Sequence, residues 1–495
     1  MSRETTSVFS TSAASDVLSS FEQRGIEPVP VDERTGTPRQ LFWVWFAANI
    51  SILGIPLGAT LVALGLNLWQ SAIVAAVGAV GSFAVVGAVS IAGRIGGAPS
   101  LTLSRAVFGV RGNVPPTLVS LISRWGWETV NTTTAAFALL SLSVLLFGTA
   151  EDAHDVPAVA ITCILVFVLL TVAVSGMGHA FLVTIQKYAT WVFGALNVFV
   201  AAFLVATIDW KAVFAAPSGP VSAMVIGIGI VAGGTGIGWA NSGADMSRYQ
   251  SPTARASHLV MSAAVGAGIP LVLLIGLGSL LSAGDPSLAS AADPIAAIRG
   301  MLPEWVAVPY LIAAFGGLLL SNHLSVYSAG LTLITLGVPI KRVYAVCADV
   351  VITTIGSIYF MLFASSFYGP FIAFISLLAV PITAWAAVFL VGLALRPHYD
   401  DHDLMNLGRT SGYWYRGGVE WRAVSAWCIA ILVGYLFTRS QVSANEVWFT
   451  GAFFNTWIGR NGLGWVVAFI LGGLLYFALG SFPRRAGRAD AGRQS

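Results

Sequence analysis

The chain has 495 residues, 56% of them hydrophobic and 9% charged, with a mean hydropathy of +0.81. Soluble domains carry roughly 25% charged residues, so the composition excludes a soluble protein and places the chain in a bilayer. The net charge of +3 decides little, because the placement of the charges carries the information.

Residues 1–40 are polar and rich in Ser and Thr. MSRETTSVFSTSAASD lacks an apolar h-region, so the segment reads as a disordered cytoplasmic tail and not as a cleaved signal peptide. A helix needs about 20 apolar residues to span. Runs of that kind fall near 41–66, 69–92, 114–147, 157–175, 188–208, 221–242, 259–282, 305–331, 344–364, 371–395, 423–438 and 464–482. They predict an all-α integral membrane protein with twelve transmembrane helices. Cys163, Cys347 and Cys428 lie far apart in these runs, which excludes a disulfide framework; they read as small packing residues.

Loop charges orient the chain. Arg94, Arg105 and Arg111 follow span 2, Lys187 follows span 4, and Arg248 and Arg255 follow span 6. Lys341 and Arg342 follow span 8, Arg396, Arg409, Arg416 and Arg422 follow span 10, and Arg484, Arg485 and Arg488 close the chain. The opposite loops hold Glu151, Asp152, Asp155, Asp285, Asp293 and Glu304, with Lys211, Arg299, Arg439 and Arg460 as the few cations on that side. The positive-inside rule puts the basic loops and both termini in the cytoplasm.

Two spans are interrupted. Span 1 carries NISILGIPLG (49–58), with Gly54, Pro56 and Gly58 in mid-membrane. Span 6 runs into GGTGIGWANSGADMSRYQSP (233–252), where each interior Gly costs roughly 1 kcal/mol of helix against Ala. Broken helices at matching positions of two repeats, spans 1–5 and 6–10, point to a small-molecule site at the midplane of a transporter. The repeat rests on position alone.

Span 3 begins SRWGWETVNTTTAAF. Trp127 and Asn131, four apart, share a helix face. A ring and an amide on one stripe suit a flat, hydrogen-bonding heterocycle, with Trp239 offering a second ring for a sandwich; the plain alternative is packing and interhelical bonding. Glu128 is either a proton carrier or the partner of Arg124 one turn earlier. Asp245 and Arg248, at the end of span 6, are either a gate latch or an ordinary helix terminus. Span 8 crowds Ser321, Asn322, His323, Ser325, Tyr327 and Ser328 together, which suits a cation site or a substrate edge, or interhelical bonding. His323 could titrate near neutrality. GGTGIG has no following Lys and no βα unit, so it is not a phosphate loop. HYDDHD (398–403) reads as a solvated charge cluster, and no metal site is expected. No acid, base and nucleophile set marks an enzyme.

Taken together, LFWVWFAANISILGIPLGA (41–59), the GWxxxN of 126–131, GWANSGADMSRY (238–249) and SNHLSVYSAGL (321–331) resemble the nucleobase–cation symporter family, purine–cytosine permease branch. The likeness runs from about Val29 to the last span. It implies a LeuT-like five-plus-five inverted repeat with two extra C-terminal helices, and alternating access driven by a proton or sodium gradient. It also implies that Trp127 and Asn131 hold the nucleobase. Asn49, Ser51, Gly236 and Trp239 would complete the pocket, and Ser321 and Asn322 would serve substrate or cation. Relatives that take hydantoin or uracil are expected to place their helix 6 Trp where this chain has Gly236. Leu320 stands where sodium-dependent members would carry a second hydroxyl, which favours protons.

The expectation is therefore an importer of cytosine or a purine. The alternatives are a carrier of allantoin, hydantoin or another small heterocycle and, from another class, an ion channel or membrane sensor. The partners are a heterocyclic substrate and the bilayer, with no nucleic acid; oligomeric state is open. No cofactor is expected beyond a co-transported proton or sodium ion. The organisation is a tail (1–40), a first repeat (41–208), a second repeat (221–395), a loop with two helices (396–482) and a cytoplasmic tail (483–495).

Overall fold

A computed structural model describes residues 24–480 apart from 177, 286–287, 289–292, 339–341, 365–366 and 444. The predicted tails at 1–23 and 483–495, and Lys341, lie outside these residues. Residues 24–37 do not continue a disordered tail. Val29 and Arg34 are buried; the Arg34 Nε donates to Val29 O at 2.7 Å and its Nη1 to Ile95 O at 3.1 Å. Gly36 donates to Tyr249 O at 2.8 Å and accepts from Ser251 N at 2.9 Å. A polar segment folds here because helix-end carbonyls need donors.

Thr37 opens α1 (Pro38–Ala48) with a capping box to Gln40. The chain unwinds at 49–53 and resumes as α2 (Gly54–Ala63). The break thus precedes Gly54 and Pro56. Pro56 lies in the first turn of α2, where its missing N–H would have had no helical partner. Gly54 and Gly58 serve packing. A Cβ at Gly58 would stand 2.0 Å from Ile275 O, and one at Gly278 would stand 2.0 Å from Ile55 O. This is a small-xxx-small contact between backbones.

Besides the short helices Trp210–Ala215, Asp401–Met405 and Trp457–Arg460, the others are α3 (Leu68–Gly96), α4 (Ser100–Phe108), α5 (Val114–Phe147), α6 (Pro157–Gly176), α7 (Gly178–Ala206), α8 (Val221–Ala232), α9 (Gly243–Ser247), α10 (Ala256–Gly284), α11 (Pro294–Gly300), α12 (Glu304–Thr335), α13 (Arg342–Leu362), α14 (Tyr368–Leu395), α15 (Trp421–Leu436) and α16 (Gly464–Gly480). Among the described residues, nine helical segments are long and apolar enough to cross a membrane, with Val221–Ser247 (α8 to α9 across its break) counted as one; α2, α15 and α16 are shorter and apolar. The structure is mostly helical but not wholly so. Strands β1 (Arg439–Gln441) and β2 (Val447–Thr450) form an antiparallel hairpin after α15. Ser440 anchors it by donating to Ala373 O at 2.8 Å. Cys163 is buried, whereas Cys347 and Cys428 are exposed on the outside of the bundle and do not pack inside it.

Candidate functional site

The interruption of the sixth span lies between α8 and α9. Residues Gly233–Ile237 form a π turn in which Thr235 leaves the helical basin at φ −132° and ψ −105°. A short 3₁₀ turn, Ala240–Ser242, follows. The freed groups are met by protein, as a membrane interior requires. Gly236 N donates to Ser82 Oγ on α3 at 3.1 Å, the Thr235 and Ser82 hydroxyls are 3.3 Å apart, and Thr235 Oγ1 donates to Val231 O at 2.6 Å. The Gly238 carbonyl accepts from Arg124 Nη2 of α5.

Facing these breaks, α5 presents Trp127, Glu128 and Asn131. The half-buried Trp127 ring meets Phe371 of α14 edge to face at 5.0 Å. Its Nε1 lies 2.5 Å from where a Cβ on Gly238 would stand, so the missing side chain makes room for the indole. Asn131 Nδ2 donates to Asn322 Oδ1 on α12 at 3.4 Å, and Asn322 Nδ2 donates to Thr171 Oγ1 on α6 at 3.3 Å. Asn131 Oδ1 is buried with no partner. A ring, a spare acceptor and an amide chain across three helices thus stand beside two broken helices. Asn131 and Asn322 are each 2% exposed, so the two amides are closed to solvent.

Glu128 lies one residue from the ring and is fully buried. Its neighbours are Asp349 of α13, Arg124 and Ser325. The carboxyls of Glu128 and Asp349 interact, yet none of their four oxygens makes a hydrogen bond of ordinary geometry. Arg124 does not close an ion pair with Glu128. Its guanidinium lies 4.4 Å over the Trp239 ring while it serves the Gly238 carbonyl.

Several predicted residues stand elsewhere. Trp239 is 6% exposed, with Arg124 over its ring and Trp45 at its edge, 5.5 Å away. A guanidinium rather than an open slot therefore covers it, and the expected two-ring sandwich does not form. Gly236 faces α3. Asn49 returns its amide to Trp45 O at 2.8 Å, and Ser51 Oγ accepts from Leu53 N at 3.4 Å; both finish the turn between α1 and α2. Ser321 and Ser325 are buried on α12. His323 Nδ1 is 2.9 Å from Leu319 O of its own helix, which fixes the proton on Nδ1.

Asp245 and Arg248 are held by other partners, not by each other. Asp245 accepts from Ser100 N at 2.8 Å and from Ser328 Oγ at 2.6 Å. Arg248 donates to Gly25 O at 2.7 Å and to Tyr327 Oη at 2.8 Å. Both tie the end of α9 to α12, one through the start of α4 and one through the N-terminal segment. Nearby, Arg105 donates to Leu404 O and Thr335 O, both at 2.7 Å, and burial pulls its guanidinium down to about 10.

Sequence reasoning missed Asp349 and Phe371, and the hydrogen bond of Arg124 to the Gly238 carbonyl. A carboxylate inside the apolar run AVCADVV was the available signal for Asp349. Asp400, His402 and Asp403 are close enough to share a cation. However, Asp400 Oδ1 already accepts from Asp403 N and Asp403 Oδ1 from Gly412 N, each at 2.8 Å, which fits loop structure. A cavity of about 350 Å³ lies between α8, α14 and residues 438–465, and no predicted site residue lines it.

Comparison with known proteins gives a family and a fold. Residues 28–459 match the family described as permease for cytosine/purines, uracil, thiamine, allantoin. YxlA of Bacillus subtilis (strain 168), provisionally named a purine-cytosine permease, is 25% identical over 470 residues, covering 92% of this chain and 95% of its own. The purine-cytosine permease FCY2 of Saccharomyces cerevisiae is 26% identical over 304 residues, covering 60% and 54%. Among solved structures, the nucleobase-cation-symport-1 transporter Mhp1, closed with bromovinylhydantoin bound, superposes with a TM-score of 0.71 at 20% identity over 92% of this chain and 94% of its own. MhsT in complex with L-phenylalanine gives 0.55 at 11% identity over 93% and 100%.

Proposed function

Since the chain belongs to the family of permeases for cytosine, purines, uracil, thiamine and allantoin, and is a membrane transporter and not an enzyme, we propose that it imports a nucleobase, cytosine or a purine, by cation symport through alternating access. One observation carries this reading: Trp127, the spare Asn131 acceptor and Asn322 converge beside the breaks between α1 and α2 and between α8 and α9. Trp127 stacks on the base, and Asn131 and Asn322 read its edge. Asn49, Ser51, Gly236 and Trp239 shape the frame behind it. Glu128, Ser321 and Ser325 serve the coupled cation, which we take to be a proton. Asp245 and Arg248 act as the latch that closes the α9 end.

The α1–α2 pair, the nine long helical segments, α15 and α16 make twelve crossings. Residues 41–208 and 221–395 form the inverted repeats, and 396–482 hold the connecting loop and two further helices. The basic loops and both termini face the cytoplasm of a cell membrane. The test is uptake of labelled cytosine into proteoliposomes with an inward proton gradient and no sodium. Accumulation that a protonophore collapses supports nucleobase–proton symport. No uptake by folded protein, with or without sodium, rejects cytosine, and competition with allantoin, hydantoin and purines then identifies the heterocycle.

A further inference from the structure

Helix α13 carries no residue of the site proposed above, yet it turns a polar stripe towards it. Asp349, Thr353 and Ser357 recur at helical spacing and are 1%, 3% and 0% exposed. The stripe seats against α5: Ser357 Oγ donates to Thr129 O at 3.4 Å, and a Cβ on Gly356 would stand 2.9 Å from the Thr129 side chain. This register brings Asp349 beside Trp125 and Glu128.

The charge count there is unbalanced. Glu128 and Asp349 contribute two negative charges in a dry interior. Arg124 contributes one positive charge, and its Nε and Nη1 are buried without partners. The remaining neighbours are neutral: Ser325 on α12, whose Oγ also lacks a hydrogen-bond partner, and Trp125. Asp245 also acts on Arg124, but its charge has a cation of its own in Arg248 and its oxygens are met by Ser100 and Ser328, so it stands outside this count. Two carboxylates sharing a buried site cannot both stay charged without compensation. One more monovalent cation makes the triad neutral; a second would leave it positive.

We infer that Glu128 and Asp349 together form a single-proton site, shared between α5 and α13, that couples transport to the proton gradient. The inference rests on the symporter reading above and adds to it a residue, a stoichiometry of one, and a second helix. A proton fits better than sodium, because the carboxyls of Glu128 and Asp349 interact with each other, as two acids that share one proton do. The proton enters between the two carboxyl groups from the outer side and leaves to the inner side with the substrate. Glu128 and Asn131, three apart on α5, are neighbours on its surface, so a change at the amide that reads the base is felt by the carboxyl pair.

The test compares two modes in proteoliposomes: accumulation of labelled cytosine driven by a proton gradient, and exchange of labelled for unlabelled cytosine with no gradient. Asp349→Asn, Glu128→Gln and the double variant should each lose driven accumulation at least tenfold, with the double no worse than either single, while exchange remains measurable. Asp349→Asn that accumulates cytosine with wild-type proton dependence overturns the inference. So does a wild-type protein driven by sodium and indifferent to protons. Wild-type protein that exchanges no base rejects the substrate reading instead, and a second measurement still judges the pair. Dicyclohexylcarbodiimide, which attacks protonated carboxyls in apolar surroundings, should modify Glu128 or Asp349 in each wild-type molecule, never both. No adduct at either residue, or adducts at both in one molecule, overturns the shared proton. This measurement needs no variant to fold.

Discussion

Arg124 donates a hydrogen bond to the carbonyl of Gly238 at the point where the sixth span is broken, and the same guanidinium covers the Trp239 ring at 4.4 Å. One cation thus holds open a helix that glycine alone would only weaken. Arg124→Leu removes the donor and leaves the buried carbonyl unmet, at a cost of about 1–3 kcal/mol. The expected result is a lower thermal unfolding midpoint in detergent, with partial rescue by Arg124→Lys. An unchanged midpoint would mean that the break is held by α3 through Ser82.

Trp127→Ala should weaken saturable nucleobase binding by roughly 10- to 100-fold, since stacking on an aromatic ring contributes about 1–3 kcal/mol per base. Trp127→Phe should recover much of the loss. Equilibrium binding of labelled base to purified protein reads this directly, and affinity equal to wild type in Trp127→Ala would remove the ring from the pocket.

Gly238→Ala tests the seat of that ring. The added Cβ would lie 2.5 Å from Trp127 Nε1, so the indole must turn away. Affinity should fall towards that of Trp127→Ala while insertion and expression stay normal. The double variant should be no weaker than Trp127→Ala alone.

Asn322→Ala deprives Asn131 Nδ2 of its acceptor and Thr171 of its donor. Each buried polar group left unmet costs about 1–3 kcal/mol. We expect lower affinity and a changed ranking of cytosine, uracil and purines in competition assays. A uniform loss across all bases would show that Asn322 supports the fold and does not read the substrate.

The start of α11 offers a pH test outside the spans. Burial holds the Asp293 carboxyl above the usual carboxylate range, although Ile295 N at 2.8 Å and Ala296 N at 3.3 Å both donate to it. A carboxyl whose value is raised by folding binds its proton more tightly folded than unfolded. Stability therefore rises as pH falls through the folded value and is lost as pH rises through it. Asp293→Asn keeps a good cap without the buried charge. The midpoint difference between variant and wild type should shrink as pH is lowered from about 7.5 to about 5; a difference that does not change would contradict the burial argument.

Hydropathy made the spans legible, because a long apolar run has few other uses. The glycines of 233–238 located one break correctly, since four of them within six residues weaken a helix, although Gly236 and Gly238 also make room for α3 and Trp127. Gly54 and Gly58 gave the same signal for a different reason, close packing against α10, and the break they suggested lies a few residues earlier. Trp127, Glu128 and Asn131 could be grouped because a single helix sets their spacing. Asp349 could not, because its partner is on another helix and no periodicity links the two. The segment 24–37 was read as disordered for a similar reason: its partners, Gly97, Ile95 and Tyr249, are distant in sequence.

The backbone contact of Gly58 and Gly278 also limits how the protein can move. With carbonyls seated where side chains would otherwise be, α2 and α10 mesh like cogs and cannot slip by a fraction of a turn. Phe42 O of α1 likewise lies against Gly266 of the same helix, so α10 clasps both halves of the first span and holds the unwound turn at 49–53, with Asn49 and Ser51, at a fixed spacing between them.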